Sequence, residues 1–397
     1  MRLRIAVVAL ISFAGGCSSS PEKKDLDVAL KPSESKAVAT PTTATQAAAT
    51  DNKPAVPTVA PPDIEWQKFF KAPPTAKERT LLQQKLGAWK DAGTSASLLE
   101  KARNHSALGQ IAAAETTYRE LLRRDGDHGD GALELAQLYL RRNQLERCFE
   151  LLEQVHAHID RAEATPREFL FRYKYTLGLA HVARNERPKG HRILSDLIAV
   201  DPAFTPGYAA LATSYLAINK LAVAEFITRR GMDLGGDDPA LFNLMGVMFE
   251  RKGNTPEARR WFDKALAASD SFAPALVNRA KLAIDRREYE ASEADLGKAL
   301  AIAPAHVEAL ILTGIVQKRT GRYDAAKHSF GRAIEVNPES AHARYNLGLL
   351  LFEHFQEPTT ALRLFHEVLQ TKDENTEIKA LAKAQIESMT ERWINQD

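Results

Sequence analysis

Cysteine and histidine are the side chains of this 397-residue sequence with the widest chemical reach, and there are 2 of the first and 11 of the second. Cys17 follows an apolar run from Ile5 to Ala14 and the pair Gly15-Gly16, and it precedes Ser18-Ser19-Ser20. The only other cysteine, Cys148, lies in a helical pattern at a position reserved for small residues, so no disulfide framework is expected. His156-Ala157-His158 is the nearest approach to a metal pair. On a helix those two rings diverge by about half a turn, and no Cys or carboxylate partner is fixed by spacing. The sequence contains no His-Glu-x-x-His, no Gly-x-Ser-x-Gly and no Gly-rich phosphate loop. Carboxylates are plentiful, yet nothing singles out an acid and a base. The expectation is a non-enzymatic protein with no metal, no cofactor and no small-molecule substrate.

Charge excludes another class. The chain carries 53 basic and 51 acidic residues, and removing Arg2 and Arg4 with the leader leaves 51 of each. A neutral protein without a basic cluster lacks the electrostatic footprint that phosphate backbones require. Pairs such as Arg123-Arg124, Arg229-Arg230 and Arg286-Arg287 fall near helix ends, where they suit the dipole and solvent. Nucleic acid is not an expected partner.

The elements that carry these residues follow from a 34-residue period. Blocks starting at Phe171, Thr205, Pro239, Ala273, Val307 and Ala341 put Gly178, Ala212, Gly246, Ala280, Gly314 and Gly348 at the same eighth position. Within Val307–Ser340, Leu310, Gly314 and Gln317 share one helical face, and Gly321 ends that helix. Tyr323 opens a second helix with Ala326, Phe330 and Ala333, which Asn337-Pro338 terminates. Small residues at Gly314 and Ala326 let the two antiparallel helices approach closely. A self-similar unit of this length cannot bury its own apolar face and must stack on its neighbours.

This pattern resembles the tetratricopeptide repeat, with small residues at positions eight, twenty and twenty-seven, a bulky one at twenty-four and Pro at thirty-two. The resemblance implies an all-α, right-handed solenoid of about eight helix-turn-helix repeats over residues 95–371, with a C-terminal capping helix in 372–397. Earlier units start at Ser95 and Gly129, and Glu163–Leu170 is an insertion around Thr165-Pro166. One extra residue near Pro358-Thr359-Thr360 brings Ala361 and Phe365 into phase. Thr228 departs from the pattern, standing where a bulky residue belongs. In the last helix Ile378, Leu381, Ile386 and Met389 are expected to face the core. At the front, residues 64–94 hold an aromatic segment and a helix opened by the capping box Thr75-Ala76-Lys77-Glu78, with Leu82, Leu86 and Trp89 on one face.

Residues 1–16 read as a secretory leader, since ten apolar residues are too few to span a bilayer. The junction Ala14-Gly15-Gly16-Cys17 resembles a bacterial lipobox, although Ala14 stands where the family usually has Leu. The resemblance implies a lipid on Cys17. Ser18 after it implies the outer membrane, with the protein facing the periplasm. An ordinary cleaved leader is the alternative. Residues 17–63, rich in Pro, Ala, Thr and Ser, cannot offset their ordering entropy and read as a tether. Such a tether spans roughly 40 Å at rest and about 150 Å when taut.

The repeat resemblance also implies a partner-binding concave face lined by the first helix of each unit. Its offsets select Tyr175, Leu179, Ala209, Thr213, Asn243, Val247, Val277, Lys281, Ile311, Ile315, Tyr345 and Leu349. The alternative is that several of these pack against the neighbouring repeat. Asn278 and Lys281 suit a chaperone-tail carboxylate clamp in one repeat only, so that specialisation is not expected. Trp66, Phe69 and Phe70 form a second candidate patch, which docks either on the solenoid or on a partner. Lipobox, tether and repeats together are similar to pilotin lipoproteins and to lipoproteins of gliding-motility machinery. They imply a scaffold in an envelope-spanning motility or secretion machine; the alternative is an adaptor of cell-wall hydrolases or a periplasmic protease.

Overall fold

The computed structural model describes residues 74–90, 93–371 and 376–394. The leader, Cys17, the tether and the Trp66, Phe69 and Phe70 patch all lie outside the described residues. Every regular element described is an α-helix. The first is α1 (Ala76–Gly87), and eight antiparallel pairs follow it. They are α2 and α3 (Ser95–Ala107, Ile111–Arg124), α4 and α5 (Gly129–Arg141, Leu145–Arg161), α6 and α7 (Arg167–Ala183, Arg187–Val200), and α8 and α9 (Thr205–Ala217, Leu221–Gly235). Then come α10 and α11 (Pro239–Arg251, Thr255–Ala268), α12 and α13 (Ala273–Asp285, Tyr289–Ile302), α14 and α15 (Val307–Arg319, Tyr323–Val336), and α16 and α17 (Ala341–His354, Pro358–Gln370). Helix α18 (Thr376–Ile394) packs against both helices of the last pair.

The period is visible at four positions. At the eighth, Gly246, Gly314 and Gly348 lie against the rings of Phe262, Phe330 and Phe365, which hold the twenty-fourth position and are fully buried. At the fifteenth, or the sixteenth in the last unit, whose first helix is one residue longer, every unit takes a left-handed backbone between its two helices. Gly109, Asn143, Asn185, Asn219, Gly253, Arg287, Gly321 and Gln356 have φ between 54° and 77°. Gly and Asn are the residues that adopt this conformation most readily. At the thirty-fourth, the side chains of Thr94, His128, Asp238, His306 and Ser340 accept a backbone N–H and cap the helix that follows. Phe204 and Phe272 take that position in two units and bury their rings instead.

The departures have physical causes. The eight inserted residues lengthen α5 and α6 to 17 residues each, with a short non-helical link between them. In the unit from Thr205 a buried threonine holds the twenty-fourth position. Thr228 is buried, its hydroxyl donates to the Ala224 carbonyl at 2.8 Å, and a Cβ on Gly231 would meet the Tyr208 ring at 2.8 Å. Tyr208 thus packs against Gly231 one turn further along α9, and Phe226 points outward, 72% exposed. In α18, Ile378 and Met389 are buried and Ile386 is half-buried, but Leu381 is exposed. The core-facing rows run 378, 382, 386 and 389, so Ala382 occupies the place expected of Leu381.

At the front, the Thr75 hydroxyl accepts the Glu78 N–H and the Glu78 carboxylate accepts the Thr75 N–H at 2.7 Å, a complete capping box. Leu82, Leu86 and Trp89 are half-buried, and Lys101 sits 3.7 Å from the centroid of the Trp89 ring. No described helix is long and apolar enough to cross a membrane.

Candidate functional site

From α4 to α16, each first helix packs beside the first helix of the next unit, while the second helices do not pair this closely. Helices that approach more closely lie on the inside of a curve, so the first helices form the concave side. A recurrent polar register ties them together. Arg141 is hydrogen-bonded to the Ser106 hydroxyl at 3.3 Å, Arg251 donates to the Leu216 carbonyl at 2.6 Å, and Asn278 donates to the Asn243 amide oxygen at 2.9 Å. Each pair is 35 residues apart, one more than the repeat. Arg103 and Glu134, 31 residues apart, join α2 to α4 one helical turn away from that register.

At the N-terminal end Glu134 is a hub. It accepts from Arg103 at 2.6 Å, from Arg172 at 3.1 Å and from the Tyr118 hydroxyl at 2.9 Å. Arg172 also donates to Asp130 at 2.6 Å. Burial, reinforced by the Glu134 charge, raises the Tyr118 phenol, and the bond to Glu134 holds the Arg103 guanidinium more firmly protonated. Four helices thereby share one carboxylate, and the arrangement is structural. Further along, Lys281 pairs with Glu250 at 2.9 Å and Lys318 with Glu353 at 2.8 Å.

The residues proposed for the groove divide into two groups. Tyr175, Leu179, Asn243, Val277, Tyr345 and Leu349 are buried, as is Ala209. They sit in the seam between adjacent helices and so do not line an accessible groove. Tyr175 meets the Phe204 ring edge-on at 5.3 Å, Asn243 accepts from Asn278, and Tyr345 packs against Phe365 at 5.7 Å. Burial, with the Asp238 charge adding, pushes the Tyr175 phenol well above its usual value. Thr213, Val247, Lys281, Ile311 and Ile315 are half-buried and are the ones left at the concave surface. Thr213 donates to the Ala209 carbonyl within its own helix and Lys281 pairs with Glu250, so Val247, Ile311 and Ile315 are the apolar residues of this set that are not buried.

One concavity escaped the sequence. A cavity of about 190 Å³ opens between the lengthened α5 and α6, lined by Phe149, Leu152, Glu153, His156, Ala157, Asp160, Tyr173 and Leu177. The insertion after Arg161 was its only signal. His156 stacks on Tyr173, whereas His158 meets Phe169 edge-on. Among the described residues no cluster of His, Cys, Asp or Glu has the makings of a metal site. Cys148 is buried, and burial pushes its thiol up to about 12.

Comparison with known proteins agrees with this geometry. The sequence profile of the tetratricopeptide repeat matches residues 99–154 and 314–375. Anaphase-promoting complex subunit 3 of Schizosaccharomyces pombe is 25% identical over 150 residues, which are 38% of this chain and 23% of that protein. The chain thus spans under a quarter of the curated relative that it matches. Among solved structures, the anaphase-promoting complex hetero-tetramer Cut9–Hcn1 superposes with a TM-score of 0.53 at 15% identity, covering 82% of this chain and 62% of that one. The type IV pilus biogenesis factor PilW reaches a TM-score of 0.43 at 17% identity over 55% of this chain and 99% of that one, too low to support an argument. Helix pairing and superposition together show the described region as an all-α solenoid of eight helix pairs, closed by a C-terminal helix and similar in fold to tetratricopeptide-repeat proteins.

Proposed function

We propose that this protein is a lipid-anchored, non-enzymatic scaffold that holds protein partners of an envelope-spanning motility or secretion machine. The observation that carries the binding role is the continuous row of first helices, joined side by side, with Val247, Ile311 and Ile315 at its surface. A surface of this kind takes an extended peptide or an amphipathic helix from a partner. The two relatives named for the anaphase-promoting complex are parts of a multi-subunit assembly, which supports a scaffold role. The envelope setting rests on the leader, Cys17 and the serines that follow. Two or three acyl chains, each buried methylene contributing about 0.8 kcal/mol, would hold the mature protein on the membrane.

The test is affinity purification from gently solubilised membranes. Cys17→Ala should move the protein into the soluble periplasmic fraction. Ile311→Glu with Ile315→Glu should lower recovered partner at least ten-fold while the circular dichroism spectrum stays unchanged. Retention of Cys17→Ala on washed membranes contradicts the anchor, and undiminished recovery with the double variant contradicts the groove. Motility or secretion proteins among those recovered support the scaffold; cell-wall hydrolases or a protease in their place assign an adaptor.

A further inference from the structure

Helix α1 precedes the first repeat in sequence, yet its Arg79 guanidinium donates to the carbonyls of Ala301 and Ile302 at the C-terminal end of α13, in the sixth repeat. Those carbonyls carry the negative end of the α13 dipole, so a guanidinium there is favourably placed. The other end of α1 stays at the first repeat, where Trp89 packs against the core and α1 touches α2. In a straight stack five steps of roughly 10 Å would part the two sites by about 50 Å. A helix of 12 residues measures about 18 Å. The stack must therefore curve far enough to bring repeat six back toward repeat one, with α1 crossing the open side of the curve.

The direction of α1 decides where the chain before it emerges. Its N-terminus, with the capping box at Thr75, is the end nearer α13. Pro74, the first described residue, then lies at the end of α1 that reaches the sixth repeat. Ile302 and Ile315 pack against the same buried cluster, so the apolar part of the concave face begins where Arg79 docks. Four to eight residues separate Pro74 from Phe70, Phe69 and Trp66, a reach of at most about 14–29 Å. A first helix is about 20 Å long and its neighbour about 10 Å away, so the inner faces of α14 and α16 fall within that radius.

We infer that the concave face of the sixth to eighth repeats is the docking surface for this chain's own residues 64–73, anchored by Arg79 on α13, and that a partner must displace them. The inference rests on the groove reading above and concerns its regulation. Trp66, Phe69 and Phe70 are the side chains with enough apolar area to cover Ile311 and Ile315. Releasing them exposes the groove and the aromatics together.

A labelled synthetic peptide of residues 62–75 tests this on the full chain. The triple variant Trp66→Ala, Phe69→Ala, Phe70→Ala should bind the peptide at least ten-fold more tightly than the wild type, whose groove is filled. Adding Ile311→Glu and Ile315→Glu to the triple variant should abolish that binding. Arg79→Ala, which weakens only the anchor, should raise peptide binding in the same direction and guards against a folding defect in the triple variant. Equal binding to wild type and triple variant, or binding to neither, overturns the inference. A concentration-dependent wild-type dimer that the triple variant loses would give the segment to a second copy, and also overturns it. Failed peptide binding with partner recovery intact sinks this inference alone; peptide binding without any partner recovery sinks the scaffold reading alone.

Discussion

Two glycines in one helix pair show how much a residue's meaning depends on its neighbours. A Cβ on Gly314 would stand 2.5 Å from the Phe330 ring, whereas one on Gly331 meets nothing within 4 Å. Replacing a helical Gly by Ala gains about 1 kcal/mol of propensity. Forcing a methyl into a packed contact costs about 1–3 kcal/mol. Gly331→Ala should therefore stabilise by about 1 kcal/mol, and Gly314→Ala should destabilise by a comparable amount, read from urea melts. Phe330→Leu in the Gly314→Ala background should return part of the loss. His306 gives a residue-scale prediction for pH. Its Nδ1 accepts the Ala309 N–H at 3.2 Å and caps α14, a role only the neutral ring can fill. Burial lowers its pKa from 6.5, against the opposing pull of Glu308. A depressed folded value means that the contribution is complete above pH 6.5 and is lost as pH falls through the folded pKa. His306→Asn keeps a cap and removes the titration, so its stability should fall less between pH 7 and 5 than that of the wild type.

At the scale of the element, the fifteenth position governs the turn inside each pair. Gly or Asn holds it in six units, while Arg287 and, one residue later in its unit, Gln356 adopt the same left-handed backbone with an ordinary side chain. That conformation costs a residue other than Gly or Asn about 1–2 kcal/mol. Arg287→Gly should stabilise by about 1 kcal/mol, measured by thermal melting, and a loss would show that the Arg287 side chain contributes more than its backbone costs. These helices were readable because the 34-residue period repeats the same steric demand, with Gly beside Phe, an αL turn, and Pro or a cap between units. Burial of Tyr175, Val277 and Tyr345 was not readable. Whether a fifth-position side chain faces the groove or the seam depends on how closely adjacent first helices approach, a distance that the repeat pattern does not encode at any single position. The Arg79 contact left no trace in the sequence either, since a bond to backbone carbonyls fixes no side-chain partner.

For the whole molecule, stability is a sum over units and the interfaces between them. The last interface is covered by Ile378, Ala382 and Met389 of α18, which join the cluster containing Phe365 and Val368. A chain ended after Gln370 should lose hydrogen-exchange protection in α16 and α17, while α4 to α9 keep theirs. Uniform loss along the chain would mean that the stack unfolds as one cooperative block.

The same neighbour-only connectivity has a mechanical consequence. Units linked in series share a pulling force, so each interface need open only slightly for the stack to lengthen. Arg79 on α13 bridges the first unit to the sixth in parallel with that series. Tension applied through residues before α1 meets this clasp first, and its release frees the slack held in the intervening repeats.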